Sequence, residues 1–283
     1  MLPSETVQLR RNVDLEVSYT ARQATDWATL PALVFLHGGM GNRCNWRSQY
    51  EFAQAKGWEA LAYDLAGHGE SSAYRRYSIG RHRRDLQRLL QHYGITSPLL
   101  CCHSYGVPIG IEWAQRHPTA GLILVAGGTH DLAPWWEIPL IKALAWGGRH
   151  LFRYSWLQRA TKAMSSQQNH ATIDRFLSES PVPTAADPYT ALEIFWDYNF
   201  FTRRRPQKLD MPVLVISGGQ DSMFSKEMGE ALAVTFPNSE HLHLPEAGHL
   251  LIAEYPQVVN KAIANFIVSL QPHSLNELNE QIS

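Results

Sequence analysis

The sequence predicts a doubly wound α/β fold, a mostly parallel sheet covered by helices on both faces and broken by one helical insertion. Five short apolar runs, residues 32–36, 61–63, 99–102, 122–126 and 213–216, show little or no alternation. That is the pattern of strands buried on both faces. Segments with helical spacing lie between the runs, and strands alternating with helices imply crossover connections. From about residue 129 to 205 the rhythm stops: no clear buried strand occurs, while Trp135, Trp136, Trp146, Trp156 and Trp196 crowd together.

Taken in order, the chain opens on an expected antiparallel hairpin. Val13, Leu15, Val17 and Tyr19 alternate with Asp14, Glu16 and Ser18, the period of a strand with one wet face, and residues 6–9 supply its partner. Trp46, Tyr50 and Ala53 share a helix face that Gly57 is placed to end. Residues 79–93 and 105–117 read as two further helices, the second stopped by Pro118. Pro256 opens the last helix, whose core face is Val259, Ile263, Phe266 and Ile267. The expected organisation is a core in two parts, 1–128 and 206–270, a helical cap or lid over 129–205, and a polar tail over 271–283.

At 283 residues the chain is long enough to bury a large interior. Its 25 basic and 26 acidic residues argue against a general nucleic-acid binder. Three cysteines, two of them adjacent at Cys101 and Cys102 in an apolar run, read as reduced thiols, and no metal-ligand spacing occurs. The first eleven residues lack the apolar stretch of a secretion signal, and no run reaches the length of a membrane span, so a cytoplasmic location is expected.

The chemistry centres on Ser104. The run 99–102 leads through His103 to this serine, and Tyr105 and Gly106 open the next helix. A nucleophile on such a turn stands proud of the sheet, and small residues two positions either side allow strand and helix to approach. Gly106 meets that need after the serine; Cys102 stands where glycine is usual before it. The helix start aims unpaired amides at the position of an oxyanion, with Tyr105 supplying one donor. The loop His37, Gly38, Gly39, Met40 supplies a second; Gly39 is the expected donor, because a residue without Cβ lets a substrate carbonyl come close.

A serine hydroxyl needs a base. Of 13 histidines, His249 follows a strand and precedes the last helix, at the carboxyl edge of the sheet where Ser104 also emerges. His241 and His243 alternate with leucines inside that strand and are expected to face outward or pack, and His103 and His117 are expected to be structural. Asp221, after the strand 213–216 and the turn that follows it, can fix the tautomer of the base. Asp131 is the alternative carboxylate.

These residues sit in HGGM at 37–40, DLAGHGES at 64–71, CHSYG at 102–106, GGQD at 218–221 and EAGH at 246–249. In that order and spacing the sequence resembles the α/β-hydrolase family, over nearly its whole length, and in particular its members with a helical cap. The resemblance implies Ser104, Asp221 and His249 as the triad in the family's chain order, acting on esters, thioesters, amides or activated carbon–carbon bonds without a cofactor. It argues against epoxide opening and halide removal, where an aspartate is the nucleophile. Asp64, Gly67, Gly69 and Ser71 are expected to shape a tight loop, and Arg75, Arg76, Arg81, Arg83, Arg84 and Arg88 a solvated helix face.

The expected reaction is ester or related acyl hydrolysis through an acyl-enzyme on Ser104. The expected partner is a small acyl substrate whose apolar or aromatic group meets Trp135, Trp136 and Trp196, although these rings could equally glue the cap to the core. Weak contact of the cap with a membrane surface is a further expectation, since Lys142, Arg149 and Arg153 lie among its Trp and Leu residues. Two other readings keep the same residues: a ligand-binding or signalling module with little turnover, and a carbon–carbon hydrolase, lyase or cofactor-free peroxidase.

Overall fold

A computed structural model of the chain describes residues 2–23, 30–128, 136–150, 191–197 and 209–271. Eight strands form one sheet, in the spatial order β1-β2-β4-β3-β5-β6-β7-β8. The hairpin β1 (Glu5–Arg10) and β2 (Val13–Thr20) turns through Asn12, whose φ of 61° is one that asparagine tolerates better than most residues. It adds to β4 (Ala60–Tyr63) antiparallel, with Val17 opposite Tyr63. All later pairings, through β3 (Leu33–Leu36), β5 (Leu99–His103), β6 (Gly121–Val125), β7 (Val213–Gly218) and β8 (Ser239–Leu244), are parallel.

The unalternating runs have the cause the sequence suggests. Along β3, Val34 and Leu36 enter one core while Leu33 and Phe35 enter the other. The first core packs against α2 (Ile79–His92) and α3 (Gly106–Ala114) through Leu86, Leu89, Ile111 and Trp113. The second packs against α1 (Arg47–Ala55) and the C-terminal α7 (Pro256–Ser269) through Tyr50, Ala53, Val259 and Ile263. Full burial of each valine, leucine, isoleucine or phenylalanine among them contributes about 1.5–3 kcal/mol.

Local chemistry sets the ends. Asn42 caps a 3-10 turn, Arg43–Trp46, by accepting from Cys44 N and pairing its own amide with Asn45. Gly57, at φ 70°, ends α1 as expected. Ser78 caps α2 by accepting from Arg81 N. The helix after the serine is shorter than the spacing suggests: it stops at Ala114, and residues 115–117 form a turn in which the amides of Arg116 and His117 both reach Trp113 O. The residue before a proline avoids helical backbone, so the chain straightens before Pro118.

Between β6 and β7 the described residues include α4 (Glu137–His150) and a 3-10 helix, Leu192–Asp197. The latter is fastened to the core. Glu193 accepts from Tyr77 N at 3.1 Å and faces Arg76 at 3.5 Å, and Tyr105 donates its hydroxyl to Ala191 O at 2.9 Å. Two short helices, α5 (Lys226–Val234) and α6 (Leu251–Glu254), flank β8 and complete the order. The tail beyond residue 271 and the lid boundaries at 129 and 205 lie outside the described residues.

Candidate active site

Ser104 occupies the turn between β5 and α3 with φ 48°, a left-handed backbone that costs a non-glycine residue on the order of 1–3 kcal/mol. The surroundings hold it there: Ser104 N donates to Val125 O at 3.0 Å, and Val107 N donates to Ser104 O at 3.0 Å. Gly106 is obligatory, because a Cβ at that position would stand 2.7 Å from the carbonyl oxygen of Leu36.

The cysteine that replaces the expected small residue at 102 is accommodated from the opposite side. A Cβ on Gly110, one turn along α3, would meet Cys102 Sγ at 2.4 Å, so the room normally left by a strand glycine comes here from a helix glycine. Gly110→Ala should therefore destabilise the protein by about 1–3 kcal/mol through overpacking. In a Cys102→Ala background the same change should stabilise it, since alanine is the better helix former by about 0.8–1 kcal/mol. Urea midpoints of the four proteins measure this, and equal effects of Gly110→Ala in both backgrounds would refute the compensation.

His249, on the loop between β8 and α6, places Nε2 3.1 Å from Ser104 Oγ. Its Nδ1 lies 2.9 Å from Asp221 Oδ2. Because the carboxylate accepts, the imidazole proton resides on Nδ1 and the Nε2 lone pair faces the serine hydroxyl. Asp221 Oδ1 is saturated by the amides of Met223 at 2.8 Å and Phe224 at 3.0 Å. Burial works to raise the pKa of Asp221, but the hydrogen bond and charge of His249, with these two amides, outweigh it and hold the carboxyl below its ordinary value. The Phe224 ring stacks on His249 with centroids 5.8 Å apart. The acid and base loops are laced together by Gln220 N to Ala247 O at 2.8 Å and Gly219 N to Leu244 O at 2.9 Å. Asp131, the alternative carboxylate, lies outside the described residues.

The loop after β3 is held by His37, which accepts from Leu65 N through Nε2 at 2.9 Å and donates from Nδ1 to Gly38 O at 2.7 Å. Gly39 lies against Tyr105: a Cβ there would be 3.7 Å from Tyr105 Cβ and 3.8 Å from Leu192 Cδ2. Those are ordinary contacts, so packing does not demand a glycine at 39. It demands one at Gly38, where a Cβ would stand 2.7 Å from His103 Nδ1. The strained φ of 60° falls on Met40.

Ser104 thus sits on a turn at the carboxyl edge of a parallel sheet, with an imidazole and a carboxylate in line. A model described as alpha/beta hydrolase fold matches residues 31–256. The chain belongs to the α/β-hydrolase fold family.

This α/β-hydrolase is 28% identical over 258 residues to a 2-succinyl-6-hydroxy-2,4-cyclohexadiene-1-carboxylate synthase of Serratia proteamaculans, covering 86% of this chain and 95% of the relative. To an sn-1-specific diacylglycerol lipase of Mus musculus it is 25% identical over 268 residues, covering 85% and 82%. Among solved structures, a thermophilic esterase from Thermogutta terrifontis superposes with a TM-score of 0.77 at 22% identity, covering 92% of this chain and 95% of that one. At that identity the superposition shows the fold alone.

Other expected residues of this α/β-hydrolase are distributed unevenly. Trp135 and the side chain of Trp196 lie outside the described residues, and Trp136 is 49% exposed. Asp64 is structural, accepting from Arg43 N and Nη1 at 2.7 Å each and from Glu70 N at 2.9 Å. His241 and His243, both partly exposed, pack on either side of Ser217 Oγ, at 2.8 and 3.0 Å, as the alternation in that strand suggests. Sequence reasoning overlooked Phe224 and Leu192, whose neighbours in space are remote in the chain. No helix among the described residues is long and apolar enough to cross a membrane.

Proposed function

We propose that the chain is a serine hydrolase acting on carboxylic esters or related acyl compounds through an acyl-enzyme on Ser104. The observation that carries this reading is the file of Ser104 Oγ, His249 Nε2 at 3.1 Å, and Asp221 Oδ2 at 2.9 Å from the other ring nitrogen. In the first step Oγ attacks the substrate carbonyl while His249 takes the hydroxyl proton; the amides of Tyr105 and Gly39 receive the oxyanion. The imidazolium, steadied by Asp221, then gives its proton to the leaving alcohol. Water enters and attacks the acyl carbon as His249 takes its proton; the bond from the acyl carbon to Oγ then breaks, Oγ takes the proton back from His249, and the acid departs. Each oxyanion donor is worth roughly 10²–10³ in rate.

The diacylglycerol lipase among the relatives and the esterase among the structural neighbours support an ester with an apolar acyl group. A cap over this site drawn from residues 129–205, with Trp135 and Trp196 meeting the acyl group, is part of the same proposal. Leu140 and Leu144, four residues apart on α4, and Trp136 just before that helix, each more than 40% exposed, support weak contact of this segment with a membrane surface. The cytoplasm is the proposed site of action.

A fluorophosphonate probe tests the reading. Wild type should become covalently labelled and should turn over p-nitrophenyl esters of graded acyl length, while Ser104→Ala should do neither. Labelling that survives in Ser104→Ala would remove the serine from its assigned place.

A further inference from the structure

His103 closes strand β5 immediately before the nucleophile, and its side chain is buried in the wall between three loops. Its Nε2 lies 2.9 Å from the carbonyl oxygen of His249. A carbonyl oxygen can only accept, so His103 carries its proton on Nε2 and donates it. The other ring nitrogen, Nδ1, is buried with no hydrogen-bond partner and abuts Gly38, leaving no space for a side chain at that position. The ring stands 5.1 Å from the His249 ring and has Trp46 edge-on at 6.5 Å. One imidazole therefore touches the oxyanion loop through Gly38, the base loop through His249 and the nucleophile through the chain itself.

The connectivity closes a small circuit. Ser104 and His103 are covalent neighbours on a strained turn, and the His103 ring grips the backbone of the residue whose side chain meets Ser104 Oγ. Elsewhere the base loop is held at Ala247 by Gln220 N and at Gly248 by the Glu254 carboxylate. Among the described residues, His103 is the one side chain bonded to the backbone of His249. Burial, together with the neighbouring His249, lowers the pKa of His103 to about 3, which keeps the ring neutral with its proton fixed where the carbonyl needs it. Reacting groups displaced by about 1 Å can lose roughly 10²-fold in rate.

We propose that His103 is a positioning residue: its Nε2–H bond to the His249 carbonyl sets how closely the base approaches Ser104, and so the rate at which the serine is acylated. This rests on the serine-hydrolase reading, and the experiment separates the two. Fluorophosphonate labelling rates are compared for wild type, His103→Leu, His103→Gln and Ser104→Ala, with melting curves for each.

His103→Leu should fold and label 10- to 100-fold more slowly, with kcat on an ester reduced in proportion and KM little changed. His103→Gln, whose amide nitrogen can donate to the same carbonyl, should recover most of the rate. If His103→Leu does not fold, His103→Asn, whose shorter amide stops short of the carbonyl, takes its place. Labelling of a folded His103→Leu at the wild-type rate, or a folded His103→Gln as slow as His103→Leu, would overturn the proposal. An unlabelled wild type would sink the serine reading instead; imidazole ¹⁵N NMR then decides the tie alone, a proton on Nε2 of His103 supporting it and a proton on Nδ1 overturning it.

Discussion

His249→Ala is expected to lower kcat on a p-nitrophenyl ester on the order of 10⁶-fold, and Asp221→Asn on the order of 10⁴-fold, with KM little altered in either. The two losses differ because the residues stand at different removes from the reaction. In the proposed mechanism His249 Nε2, 3.1 Å from Ser104 Oγ, takes the serine proton, and Oγ has no other side-chain partner among the described residues. In that mechanism Asp221 acts through His249: from 2.9 Å it holds the proton on Nδ1 and would steady the imidazolium. An asparagine can instead donate to Nδ1, turning the ring to the tautomer whose Nε2 carries a proton and cannot accept another. Asp131→Asn serves as the discriminating control and should remain within a few-fold of wild type. A kcat for His249→Ala within 100-fold of wild type would remove it as general base, and a larger loss for Asp131→Asn than for Asp221→Asn would exchange the two carboxylates. The assay is steady-state kinetics on one ester, with circular dichroism confirming the fold of each variant.

The folded protein should lose a large part of its stability between pH 6.5 and pH 5. Four histidines are buried and held neutral. Burial is the largest cause in each case, lowering His37 to about 4 and His68, His82 and His103 to about 3. Hydrogen bonding agrees for His37, whose Nε2 accepts from Leu65 N and would lose that bond on protonation. The unfolded chain titrates these rings near 6.5, so between that pH and the folded values the unfolded state binds more protons. Stability therefore rises with pH across this window and falls as the pH drops through it. Each ring contributes a loss of about 2 kcal/mol at pH 5, or roughly 8 kcal/mol for the four, against a typical total of roughly 5–15 kcal/mol. Asp64 and Asp85, raised by burial, oppose the trend at lower pH, and Asp221, held low, reinforces it there. Urea midpoints at pH 7, 6 and 5 test this. A midpoint independent of pH over that range would mean that these rings are not kept neutral by the fold.

What could be read from the residues alone has a common physical basis. The buried strands of the parallel sheet, the wet-faced β2, the end of α1 at Gly57 and the start of α7 at Pro256 all follow from backbone preference and side-chain period. These act over a few residues and leave their mark in the local pattern. The elbow was legible for the same reason: a short apolar run, a polar residue and a glycine prescribe a strand, a sharp turn and a helix. Helix α3 was drawn too long because its end depends on how residues 115–117 turn, and the pattern of apolar residues does not encode that.

Contacts between distant parts of the chain were another matter. Sequence order places Asp221 and His249 at strand ends, but only the parallel register of β5 through β8 brings those ends to one rim, where the imidazole can span the gap to a serine 145 positions away. The tolerance of cysteine at 102 is decided by Gly110, a residue on another element. His103 looked like one more structural histidine, since nothing beside it in the chain reveals that its ring reaches a carbonyl across the sheet edge. The sequence by itself determined the class of sheet, the turn that bears the nucleophile and the residue types suited to the chemistry, because those are written in short-range preferences. Tertiary structure alone decided which carboxylate meets which imidazole, why each small residue is small and which buried ring ties the loops together, because those depend on the packing of residues far apart along the chain.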